Sequence, residues 1–210
     1  MPEPRRWSHK NTLMDEAIAI VPALKNLELQ HVGCWDDLKL EFIPGLNIIT
    51  EEGSVWGKTT IFKAIFQSLI PMSQLAHPLS PTMGFEHGTI SVEFMSVNHS
   101  VVLFSHDDAP QSPLTLESRG EFMLRRLSYW LNETTPNRAL LIEDEVTAVL
   151  DLNQYTEAVK LLNSSRCQVI CQMAHRLELK SYPQARVYGC YMQEHDKVGI
   201  KLQQLGGGGA

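Results

Sequence analysis

The segment LNIIT, then EEGSVWGKTT, then IFKAIFQSLI constrains this chain more than any other. Leu46–Thr50 is a short apolar run behind a Pro44-Gly45 turn and reads as a buried strand. Beyond Thr60 the apolar residues recur at helical spacing. The loop between must therefore deliver the chain from a strand straight into a helix N-terminus. Unpaired N–H groups and the helix dipole there favour an anion. Gly57, Lys58 and Thr59 supply what a phosphate cradle needs at that point: close backbone approach, an ammonium for the β/γ phosphates and a hydroxyl for magnesium. The candidate nucleotide-binding set is Gly53, Ser54, Val55, Trp56, Gly57, Lys58, Thr59 and Thr60. The match to G-x-x-x-x-G-K-[ST] is imperfect. Glu52 stands where the first glycine is expected, the glycine is Gly53, and Trp56 is bulky for such a loop.

Around this segment the pattern predicts one α/β domain. Residues 1–22 are rich in proline and basic residues and read as a flexible tail, with a short helix over Met14–Val21. Residues 23–205 read as a single domain and 206–210 as a flexible glycine-rich end. LKNLELQHV and LKLEF alternate as half-buried strands do, around a turn at Gly33–Asp37. HGTISVEFM and HSVVLFSH predict a β-hairpin about Val97-Asn98. Then come a helix (GEFMLRRLSYWLNE), a buried strand (RALLIED), a helix (LNQYTEAVKLLN), a strand (CQVICQMA) and a terminal strand pair (ARVYGCYMQ, VGIKLQQL). Strand–helix alternation implies a mostly parallel sheet flanked by helices, and the early strands an added antiparallel β layer.

Composition excludes several classes. With 43% hydrophobic and 20% charged residues the chain is ordinary for a globular domain, and no apolar run approaches the ~20 residues that span a bilayer. The N-terminus lacks the apolar core of a signal peptide, and four scattered cysteines fit a reducing, cytoplasmic setting. Cys167 and Cys171 read as small core residues. A net charge of −6 gives no global field for nucleic acid, so direct binding is not supported by charge. The one basic cluster, Arg119, Arg125 and Arg126, reads as a solvated helix face.

The second half of a nucleotide site is offered by RALLIEDEVTAVLD. An apolar strand ending in Asp144-Glu145 places one carboxylate for magnesium and one to polarise an attacking water. Asp151 follows, and RCQVICQMAH ends a strand with His175. GKTT, an S-x-G-E helix start, a strand ending in DE, then LD, then a strand ending in His form an order that resembles the ATP-binding-cassette ATPases. The strands over Leu24–Thr50 look most like the SMC and RecF-type branch.

That resemblance implies a P-loop NTPase fold and an ATPase using ATP and Mg2+. It places the magnesium ligands at Thr59 and Asp144, and the catalytic residues at Glu145 and His175. Ser118, Arg119, Gly120 and Glu121 match the signature, and Asp151 the D-loop, both offered to a nucleotide held by an opposite subunit. A homodimer or heterodimer closing on ATP to gate a protein partner is the implied function, in DNA repair, DNA processing or a mobile-element or defence system. Glu117 and Arg119 depart from the signature pattern, Glu143 interrupts the apolar run before Asp144, and the Q-loop glutamine has only Gln111 or Gln74 as candidates. These departures imply slow turnover. The interval from Lys58 to Ser118 is too short for a transporter's helical subdomain or a long coiled coil, which leaves a minimal head. The alternative is a non-catalytic assembly or regulatory subunit that uses the same fold as a scaffold. Trp35 stands where an adenine-stacking aromatic could lie, or otherwise anchors the turn between the first two strands.

Overall fold

The computed structural model describes residues 18–51, 57–69, 88–95, 118–145, 150–173, 179–193 and 197–204. Nine strands and three α-helices fall within them. These are β1 (Ile18–Pro22), β2 (Leu24–Val32), β3 (Trp35–Glu41), β4 (Leu46–Glu51), α1 (Lys58–Leu69), β5 (Thr89–Phe94), α2 (Arg119–Glu133), β6 (Arg138–Glu145), α3 (Leu152–Asn163), β7 (Gln168–Gln172), β8 (Arg186–Met192) and β9 (Val198–Gln204). A six-stranded sheet has the order β1-β6-β7-β4-β8-β9, and a three-stranded sheet the order β3-β2-β5. In the larger sheet β6, β7, β4 and β8 run parallel, while β1 and β9 close its edges antiparallel. The smaller sheet is antiparallel throughout.

The strand period of two assigns the faces. Ile49, Leu141, Ile170 and Tyr188 point into one core with α1 and the three-stranded sheet. Ile48, Leu140, Ile142, Val169 and Val187 point into the other, with α2 and α3. Central strands buried on both faces read as continuous apolar runs, which is why LNIIT and RALLI carry no alternation.

Two buried amides fasten the layers. Gln168 accepts from the Leu24 N–H at 2.8 Å and donates to the Leu24 and Ile43 carbonyls at 2.7 and 2.9 Å. Asn47 donates to the Ile43, Gly45 and Val169 carbonyls and accepts from the Ile43 N–H. Backbone groups at the crossing between sheets are thereby paired, where an unpaired one would cost about 1–3 kcal/mol.

Three sequence expectations change, and the hairpin expectation lies partly outside the described residues. Ile18–Pro22 is not tail or helix but an edge strand on β6, because β-branched Ile18, Ile20 and Val21 gain more from the open sheet edge than from an isolated short helix. The turn at Gly33–Asp37 contracts to Gly33-Cys34, with Val32 paired to Trp35. HGTISVEFM supplies β5, which pairs with β2; its expected hairpin partner lies outside the described residues. The basic cluster is not wholly a solvated face, while the side chain of Arg119 lies outside the described residues. Arg126 is 3% exposed and, like Arg125, stacks over the Phe122 ring. Cys167 and Cys171 are buried core residues as read. Among the described residues no helix is long and apolar enough to cross a membrane.

Candidate functional site

Among the described residues the candidate cradle consists of Gly57 and the start of α1, just beyond the end of β4. Gly57 has φ +121°, a region L side chains avoid, and a Cβ there would lie 2.8 Å from Cys34 Sγ and 2.9 Å from Trp35 Cζ2. Its carbonyl accepts the first helical bond, from the Ile61 N–H, and a second from Trp35 Nε1, both at 3.2 Å. The loop's exit is therefore pinned to the β2–β3 turn. Trp35 is 2% exposed and spends its indole N–H on this bond, so it is the anchor beneath the turn and not a surface for stacking adenine.

Lys58 opens α1 and is 7% exposed. Burial and the positive end of the helix dipole both oppose a cation at that point, so a lysine here requires an anion beside it. Glu51, the last residue of β4, forms an ion pair with Lys58 Nζ. On the neighbouring strand Cys190, paired in register with Glu51, has its thiol pushed up to about 12 by burial, with the Lys58 charge opposing the rise. Thr59 is exposed and Thr60 is half-buried, within hydrogen-bond reach of the Cys34 thiol. Gly53, Ser54, Val55 and Trp56, like Glu52, lie outside the described residues.

Asp144 and Glu145 end β6, which is separated from β4 by β7 alone. Because all three run parallel, their carboxyl ends share one edge. Glu145 pairs in register with Gln172, and the next N–H on that strand, Met173, donates to the Ile49 carbonyl at 3.1 Å. The β6–β7 register shifts between Ile142 and Glu145, so Glu143 and Asp144 face no partner on β7. The polar Glu143 of this apolar run falls at the irregularity. The side chains of Glu143–Glu145 are not among the described atoms, and His175, Gln74 and Gln111 lie outside the described residues.

Ser118 and Asp151 are both helix N-caps. Ser118 Oγ accepts from the Glu121 N–H at 3.2 Å, while Glu121 Oε2 accepts from the Ser118 N–H at 2.8 Å. Asp151 and Gln154 form the same reciprocal box on α3, at 2.8 and 3.0 Å. Gln154 Nε2 also donates to Ser118 Oγ at 3.4 Å, so the two helix starts touch. Gly120 lies directly against this amide, and a Cβ there would fall 1.9 Å from Gln154 Oε1, so the glutamine side chain would have to move. Helix α3 follows the carboxyl end of β6 after a short connection, so the starts of α1, α2 and α3 all open at the same edge of the sheet. The caps lie on the α2–α3 face and Lys58 on the α1 face.

Thus the structure joins Lys58 to Gly57 and the β2–β3 turn, and Ser118, Gly120 and Glu121 to Asp151. It sets the backbone of Asp144 and Glu145 at the same sheet edge as the cradle. Sequence reading missed Glu51 and Gln154. Glu51 reads as the start of the loop after LNIIT, and no local spacing marks Gln154 as a neighbour of Ser118; the pattern D-x-x-Q at a helix start is its one available signal. The sequence matches no protein-family model, and no curated protein is significantly similar to it.

Proposed function

We propose that this chain is a P-loop ATPase head of the ATP-binding-cassette type, nearest the SMC and RecF-type branch, which dimerises on ATP and turns it over slowly. The observation that carries the reading is Lys58: a buried lysine at a helix N-terminus, at the carboxyl edge of a parallel sheet, with an acid-tipped strand one strand removed. Ligands of open α/β sheets bind at that edge. The oxygen donors suit magnesium, a hard ion that keeps several waters: Thr59 is exposed at the helix start, and Asp144 sits on the irregular end of β6. Magnesium bound there would neutralise phosphate charge. Lys58 would hold the β/γ phosphates, Glu145 would orient the attacking water, and His175 would contact the γ-phosphate. Ser118 and Asp151 would face the nucleotide of a second head, homologous or not. Closure would gate a protein partner; a role in DNA repair, DNA processing or a mobile-element or defence system rests on the resemblance alone.

Mass measurement with ATP turnover tests this. Glu145→Gln traps an ATP-loaded dimer and abolishes phosphate release, while Lys58→Ala binds no ATP. The absence of both a trapped dimer and turnover above that of Lys58→Ala would sink the reading. One observation favours the scaffold alternative: Glu51 already neutralises Lys58 within the chain. That reading expects no ATP affinity and a stable complex with another protein.

A further inference from the structure

We infer that Gln154 is a positioning residue that commits the Ser118 hydroxyl to donating outward, toward an acceptor on a second molecule. The inference rests on the nucleotide-sandwich reading above and identifies a residue that the resemblance does not supply. A serine hydroxyl has two acceptor lone pairs and one proton. Both acceptor directions of Ser118 Oγ are taken within the chain, by the Glu121 N–H at 3.2 Å and by Gln154 Nε2 at 3.4 Å. Among the described residues what Ser118 has left is its O–H, and Ser118 is exposed. Phosphate oxygens are acceptors only, so the bond that remains to be made is the one a phosphate can accept. Gln154 is itself oriented: its Oε1 accepts from the Asp151 N–H at 3.0 Å, and that bond fixes which end of the amide turns toward Ser118. Gly120 leaves this amide in place, since a Cβ there would displace it. A change at Asp151 is therefore transmitted to the Ser118 proton through one side chain.

The amide-to-acid exchange separates positioning from structure. Gln154→Glu keeps the shape, keeps the acceptor for the Asp151 N–H and adds a negative charge at a helix start, where it is favourable. It also replaces the donor facing Ser118 with an acceptor, which captures the hydroxyl proton. Thermal denaturation should give a midpoint equal to or above that of wild type, and labelled-ATP binding to the single head should be unchanged. ATP-dependent dimerisation, measured by light scattering in the Glu145→Gln background, should weaken at least about tenfold. In a Ser118→Ala background the exchange should cost clearly less than it does with Ser118 intact, what remains being repulsion between the new carboxylate and the phosphate. Unchanged dimerisation in Gln154→Glu, or an additive loss with Ser118→Ala, overturns this inference alone. Absence of any ATP-dependent dimer when Gln154 is intact overturns the sandwich reading and this inference with it.

Discussion

Replacing Glu51 by Gln should tighten ATP binding while weakening the fold, a combination few other mechanisms would produce. Lys58 is 7% exposed and the Glu51 side chain 21%, so the pair is screened far less than a surface ion pair. A phosphate brought to Lys58 must share it with the Glu51 carboxylate. At roughly 8 Å and an effective dielectric near 20, like unit charges repel by about 2 kcal/mol. Removing that charge should lower the ATP dissociation constant about 30-fold. The free protein loses the Glu51 carboxylate as a counter-ion to Lys58. Breaking a fully buried pair costs about 3–5 kcal/mol, and partial exposure of Glu51 brings the expected loss to about 1–3 kcal/mol. Calorimetric ATP titration and thermal denaturation with and without ATP read both effects. The variant should melt lower alone and gain more from ATP than wild type does. Affinity that falls or stays level while the melting point drops would refute the reasoning, since Glu51 would then support the phosphate site and not compete for it.

Other outcomes follow from the same geometry. Gly57→Ala combines φ +121° with contacts at 2.8 and 2.9 Å, so it should destabilise the fold by about 2 kcal/mol or more and abolish ATP binding, as seen by denaturant midpoint and labelled-ATP titration. Gln168→Ala leaves the Leu24 N–H and carbonyl unpaired between the sheets; about 2–3 kcal/mol should be lost, with ATP affinity per folded molecule unchanged. The Cys190 thiol, pushed up to about 12, stays protonated below that pH, and the thiolate is the nucleophile. Native protein should therefore resist alkylation at Cys190 from neutral pH to well above 8, measured by intact mass with peptide mapping; rapid labelling there would contradict its placement.

The fold was largely legible because its signals are local. Helix α3 over Leu152–Asn163 shows both an apolar period and an Asp cap, and the reading places it at those bounds. The runs LNIIT and RALLI are too short for helices and too apolar for exposed strands. What stayed illegible depends on pairing across distance. Ile18–Pro22 is a strand only because β6 offers it an edge, and Trp35 is a structural anchor only because Gly57 lies above it. The candidate site divides the same way. Lys58 and Thr59 are marked by their neighbours in sequence, whereas Glu51 and Gln154 acquire meaning from side chains that packing, not spacing, brings to them.

The central claim is that Lys58 is a phosphate-binding lysine. Calorimetric titration of ATP with magnesium into wild-type protein and into Lys58→Ala tests it most directly. Wild type should bind ATP saturably and the variant should not bind it, with both folded by circular dichroism. Equal heats for the two proteins, or no binding by either, would contradict it.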